Sequence, residues 1–198
     1  MKKILIAAAV GLLVAGQVVA QDSPWLVRAR AVHLNMSNHD STGLDLNVNN
    51  KTIPEVDVTY FFNKNVATEL VLTVPQQQSV SAGALGGASV GTFKHLPPTL
   101  TMQYHFTDFN GYKPYVGAGV NYTRISNVNL GTYALDNHSF GFAVQAGVDV
   151  PLTKQVSLNF DVKKVQIQTD VSVASTGAKA GTLKLDPVLL GVGIGYRF

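Results

Sequence analysis

The sequence predicts an all-β protein, an eight-stranded antiparallel β-barrel that crosses a membrane. Three observations carry this expectation. Hydrophobic residues make up 46% of the chain and charged residues only 14%, against about 25% charged in an ordinary soluble domain. Yet beyond the first 20 residues no uncharged apolar run approaches the ~20 residues that a spanning helix needs. From Trp25 onward apolar residues alternate with small or neutral polar ones, the period of a strand. The connections between these stretches are by turns short and long.

Residues 1–20 read as a cleaved export signal. Lys2 and Lys3 form its positive end, residues 4–14 its apolar core, and Val18-Val19-Ala20 its small-residue cleavage site. The barrel is therefore expected over residues 21–198, starting at Gln21. Without Lys2 and Lys3, the 15 Lys and Arg fall to 13 against 12 acidic residues, a net charge of +1. No nucleic-acid partner follows from so small a surplus. The chain has no cysteine, so neither disulfides nor thiolate chemistry is available to it. Such a signal suits a Gram-negative envelope, and the expected location is the cell outer membrane.

The first strand starts at Trp25 and sets Arg28, Arg30, Val32 and Leu34 on one face. The second, residues 52–62, puts Glu55 and Asp57 on the matching face, and the third, residues 66–74, puts Glu69, Val71 and Thr73 there. In the fourth, residues 94–106, Leu100, Met102, Tyr104 and Phe106 oppose Thr99, Thr101, Gln103 and His105. The fifth, residues 113–125, turns Gly117 and Gly119 inward. The sixth, residues 139–150, alternates most regularly: Phe140, Phe142, Val144, Ala146, Val148 and Val150 oppose Gly141, Ala143, Gln145, Gly147 and Asp149. In the seventh, Val156, Leu158, Phe160 and Val162 oppose Ser157, Asn159, Asp161 and Lys163. Beyond Lys163 the alternation is expected to slip, with Lys164 on the formerly apolar face and Val165 and Ile167 on the other, as a bulge or an exit from the bilayer would cause. The eighth sets Val188, Leu190, Val192, Ile194, Tyr196 and Phe198 against Leu189, Gly191, Gly193, Gly195 and Arg197.

A soluble sandwich would turn its apolar face inward and carry Lys and Glu outside. Here the second face is Gly, Ala, Ser, Thr, Asn and Gln, a poor water-facing surface and a suitable barrel interior, with the apolar face left for lipid. Residues 63–65, 107–112 and 151–155 make short connections, whereas residues 37–51, 75–93, 126–138 and 174–182 make long ones. Eight strands that begin and end on the periplasmic side need three short turns and four long outer loops, the pattern found. Trp25, Tyr60, Phe62, Tyr104, Phe106, Tyr112, Tyr115, Tyr196 and Phe198 gather at the short-turn ends, where an aromatic girdle would meet the membrane interface. The loop at residues 75–92, rich in Gln, Ser, Gly and Ala, reads as a mobile rim.

Four segments carry a resemblance: KHLPPTLT at residues 94–101, YKPYVGAGVNYT at residues 112–123, QAGVD at residues 145–149, and the ending from Leu185-Asp186-Pro187 to Gly195-Tyr196-Arg197-Phe198. Through them the chain resembles the outer-membrane protein W (OmpW) family of small eight-stranded barrels. The resemblance implies a narrow lumen with a hydrophobic extracellular part, used for the passage of small hydrophobic molecules.

Within such a lumen, the alternation places Arg28, Arg30, Lys163 and Arg197 with Glu55, Asp57, Glu69, Asp149 and Asp161. Isolated buried charges are costly, so these are expected to pair into a plug across the periplasmic half. Above it, Val32, Leu34, Val71, Thr73, Leu96 and Val165 are expected to line a greasy section. The inward glycines leave volume and let the strands bend. Pro97 and Pro98 lack backbone donors, so pairing should break there, as a lateral exit into the bilayer or as a simple bend. Tyr196 and Phe198 at the carboxy terminus resemble the signal read by the barrel-insertion machinery. Membrane lipids, lipopolysaccharide and a small hydrophobic solute complete the expected partners.

His33, His39, His95, His105 and His138 show no metal-ligand spacing, so no metal, cofactor or enzymatic activity is expected. An enzyme built on His105 is one rival reading. A structural or adhesive barrel acting through its outer loops is the other.

Overall fold

The computed structural model describes residues 23–198 other than residue 108; the expected export signal, residues 1–20, lies outside the described residues. The strands are β1 (Trp25–Asn35), β2 (His39–Asp40), β3 (Leu46–Val48), β4 (Lys51–Phe61), β5 (Val66–Leu72), β6 (Gln76–Ala82), β7 (Ala88–Leu96), β8 (Thr99–His105), β9 (Lys113–Asn129), β10 (Tyr133–Leu135), β11 (His138–Pro151), β12 (Val156–Val165), β13 (Gln168–Val173), β14 (Lys179–Lys184) and β15 (Val188–Arg197). Eight of them, β1, β4, β5, β8, β9, β11, β12 and β15, pair antiparallel in that order, and β15 returns to β1, closing a barrel. Closure gives each of these eight strands a partner on both sides, as a backbone in hydrocarbon requires.

The short turns are tightened by their own side chains. Asn63 Oδ1 accepts from the backbone N–H groups of Asn65 and Val66, both at 2.9 Å. Thr153 Oγ1 does the same for Gln155 and Val156. Local polar residues of this kind imitate a backbone turn and bring the strands directly back.

At the other end the strands continue. β9 has 17 residues and β11 has 14, against the ~10 that a tilted strand needs to cross the hydrocarbon. The long connections are largely pleated. β6 and β7 pair as a hairpin, β3 adds to β6, and β10, β13, β14 and β2 form a separate four-stranded sheet. The expected mobile rim at residues 75–92 is thus mostly hairpin, with Gln76, Gln78, Val80 and Ala82 buried. Gly, Ser and Ala suggest a loose loop in sequence, but alternate residues here find an apolar core to cover.

Of the two readings of the change after Lys163, the bulge is excluded and the passage out of the bilayer fits, with Val165 and Ile167 inward as expected. Asn159, Asp161, Lys163, Val165, Ile167 and Thr169 are all buried, without a change of parity. What changes is the environment. Around Phe140, Phe142 and Ile194 the apolar side chains are exposed on the outside of the barrel. Above Lys163 they fill the inside, where Val32, Leu34, Phe93, Ile125, Val165, Ile167, Leu183 and Leu185 belong to one buried cluster. The lower barrel is built for lipid outside, the upper barrel for water outside.

Candidate functional site

The lower lumen is crossed by a cluster of ion pairs. Arg28 Nε and Nη2 donate to the two oxygens of Asp149 at 3.1 and 2.7 Å, a bidentate fork. Its Nη1 reaches Asp57 and Glu69, both at 3.2 Å, and Thr59 Oγ1 at 2.9 Å. Arg30 donates through Nε to Asp57 at 3.0 Å and through Nη2 to Glu69 at 2.8 Å and also to Asp57, while Nη1 lies 3.3 Å from Asp161. Lys163 Nζ extends toward Glu69 at 3.5 Å and Glu55 at 3.8 Å. All these side chains are buried. Removal from water is tolerable only because each guanidinium meets several carboxylates in bidentate or shared geometry. The core of this network therefore sets Arg28, Arg30 and Lys163 against Glu55, Asp57, Glu69, Asp149 and Asp161.

Arg197 takes another place. It is half-buried at the short-turn mouth, its Nε donating to the Ser23 carbonyl at 3.0 Å and its guanidinium lying 4.3 Å from the centre of the Phe61 ring. Its strand position faces inward as expected, but it lies opposite Leu26, beyond the layer that holds Arg28.

Tyr115 is not part of the aromatic girdle. It is 1% exposed, its hydroxyl donates to Asp161 at 2.7 Å, and Asn159 Nδ2 donates to that hydroxyl at 3.1 Å and to Asp149 at 2.9 Å. The signal was parity: Tyr115 shares its face with Gly117 and Gly119. Gly147 seats the ring, since a Cβ there would stand 2.4 Å from Tyr115. Some of the volume left by the inward glycines is therefore occupied. Seven of the other eight girdle aromatics form edge-on pairs near the short turns, Trp25 with Tyr60, Tyr60 with Phe62, Tyr104 with Phe106 and Tyr196 with Phe198, at centroid separations of 4.8 to 5.3 Å.

His105 hydrogen-bonds Gln103 at 2.9 Å and packs against Phe61 and Tyr115, so its contacts build the lower lumen. Among the described residues no group of His, Asp or Glu is placed to hold a metal.

Above the ion pairs lies a cavity of about 20 Å³, lined by Leu34, Ile53, Val71, Val165, Ile167 and Leu189 with Thr73, Pro97, Thr99 and Pro187, and by Glu55 and Lys163. Val32 is buried in the same apolar cluster. Leu96 is a correction: it is half-exposed opposite Arg124, while Phe93 and His95 are the buried side chains of β7. Pro97 and Pro98 do not shift the alternation, because β7 and β8 keep one register on β9, with Leu96 opposite Arg124 and Thr99 opposite Asn121. Tyr122 N–H even donates to the Pro98 carbonyl at 3.1 Å. On the other edge the ladder stops at Val71 opposite Thr99 and resumes at Gln76 opposite His95. Among the described residues, no strand pairing joins residues 73–75 to residues 96–98.

The OmpW family model matches residues 15–198. The chain belongs to the OmpW family. An uncharacterized outer-membrane protein y4mB of Sinorhizobium fredii is 41% identical, over 91% of this chain and 82% of its own length. Outer membrane protein W of Vibrio cholerae is 33% identical over 90% of each chain. The dibenzothiophene metabolism operon protein PahQ of Pseudomonas aeruginosa is 29% identical, also over 90% of each. Among solved structures, the outer membrane protein OprG of Pseudomonas aeruginosa superposes with a TM-score of 0.79 at 24% identity, over 90% of this chain and 98% of that one; that likeness is one of fold. As an OmpW-family member this protein is an outer-membrane β-barrel. Its short turns accordingly face the periplasm, and its extended strands face the cell exterior.

Proposed function

We propose that this OmpW-family barrel passes small hydrophobic molecules from the cell exterior into the outer membrane, leaving the lumen sideways at Pro97. The observation that carries the reading is the apolar cavity, floored by Lys163 and Glu55 and walled by Thr73 and Pro97 where the strand ladder is interrupted. A hydrophobic solute entering from above meets apolar walls and then a charged floor. Crossing that floor would require separating desolvated ion pairs, at several kcal/mol each. The interruption at Pro97 offers a path to lipid without that cost. The place of the relative PahQ in a dibenzothiophene metabolism operon agrees with a hydrophobic aromatic solute.

A cysteine-free chain allows a clean test. Cysteines introduced together at Thr73 and Pro97 and bridged by a short bifunctional thiol reagent should cut uptake of a probe such as naphthalene by whole cells, while either single cysteine should not. Unchanged uptake in the bridged protein refutes the lateral exit. Uptake no faster than in cells lacking the protein refutes the channel itself.

A further inference from the structure

Two side chains in the upper lumen are buried in a way that the packing of the fold does not require. Gln78 on β6 is 0% exposed and His95 on β7 is 1% exposed. Both amide atoms of Gln78 and both ring nitrogens of His95 lack a hydrogen-bond partner. Gln76 is opposite His95 and Gln78 opposite Phe93, so Gln78 and His95 are diagonal neighbours on the same inward face. At that spacing long side chains are within reach of one another. The surroundings are largely apolar, with Phe93 and Val80 on the same hairpin and Ile125 opposite His95 on β9, while the buried Gln76 donates its amide to the Val74 carbonyl at 3.0 Å. In this file of inward residues His95 stands one position above Pro97, which lines the cavity.

We infer that Gln78 and His95 form a hydrogen-bonding site for the polar group of a neutral, amphipathic solute, a hydrocarbon carrying a hydroxyl or carbonyl. The inference rests on the channel reading and narrows its substrate class. A glutamine amide and a neutral imidazole each present one donating and one accepting side. Together they can satisfy a hydroxyl in both directions while the apolar wall takes the hydrocarbon. Leaving such atoms unpaired is expensive, and apolar residues of similar shape would serve packing better. A site built to pair a polar group discriminates strongly against an analogue that lacks it.

The test compares two probes of nearly the same shape, 1-naphthol and 1-methylnaphthalene. The protein, labelled with ¹⁵N-histidine and held in lipid nanodiscs, is titrated with each, and His95→Phe identifies the His95 signals. The expected result is that 1-naphthol shifts the His95 ring nitrogens and binds roughly tenfold more tightly than 1-methylnaphthalene, the gain of one to two hydrogen bonds. Gln78→Leu should abolish that preference without lowering the thermal midpoint. Equal affinities, an unresponsive His95, or a site holding only ordered water would overturn the inference. So would a Gln78→Leu variant that loses stability and keeps the preference, since Gln78 would then be structural. Uptake of 1-naphthol into cells, measured separately, reads the channel: its absence alongside selective binding of 1-naphthol would remove the transport reading and leave the site standing.

Discussion

Glu69 is held by Arg28, Arg30 and Lys163 at once, so no other carboxylate in the lumen joins more cations among the ion pairs described. Glu69→Ala is expected to leave three buried positive groups short of a partner and to destabilise the barrel by about 3–5 kcal/mol, read as a lower midpoint of unfolding in detergent. If the cluster is also the barrier, single-channel conductance should rise in Glu69→Ala and in Asp149→Ala; unchanged conductance in both would reduce the cluster to a packed core. Tyr115→Phe removes a hydroxyl that donates to Asp161 and accepts from Asn159. The loss of a hydrogen bond to a charged group is expected to cost about 1.5–3 kcal/mol, measurable by the same unfolding experiment. The carboxylates and the two arginines were legible as inward residues from alternation alone. Their partners were not, because which carboxylate meets which guanidinium depends on strand stagger. Thr59, Asn159 and Tyr115 share the inward parity, yet a neutral residue on a lumen face carries no mark of the charge it will bond.

At the scale of elements, the hairpin of β6 and β7 and the sheet of β10, β13, β14 and β2 answer to a different solvent rule from the strands below them. Phe93 of β7 is fully buried in the apolar cluster that also holds Val171 and Leu183 of that sheet. Phe93→Ala is expected to cost about 3–5 kcal/mol, felt mainly as faster proteolysis and hydrogen exchange in residues 76–96 while the membrane part stays intact. On the lipid side the expectation reverses. Ile194 is 57% exposed, and Ile194→Lys should cost about 2–4 kcal/mol if the position lies near the bilayer midplane, read by unfolding from lipid vesicles. The upper strands were hard to read because a strand signal depends on which face is apolar, and the apolar face moves from outside to inside near Lys163. Unbroken parity through residues 159–169 was present in the sequence all along. The change of solvent made it look like a slip.

For the molecule as a whole, Ser23 and the carboxy-terminal Phe198 meet where the barrel closes at the short-turn rim. Ser23 N–H donates to the Phe198 carbonyl at 3.0 Å, and the Phe198 ring pairs edge-on with Tyr196 at 5.0 Å. Deleting Phe198 is therefore expected to slow assembly into the outer membrane, measured as the fraction of heat-modifiable folded barrel after a pulse of synthesis. Full assembly without it would leave that ring as an ordinary member of the girdle. By itself the sequence determined the number of membrane strands, their alternation and the side of each turn, because these depend on local period and on turn chemistry. It also determined that charges point inward, since a period of two leaves only one other face. Only the tertiary structure decided the pairing of those charges, the folded upper extension, the outward turn of Leu96 and the one edge on which the ladder breaks beside Pro97. Each of these depends on contacts between residues far apart in the chain, and closing the barrel is what brings such residues together.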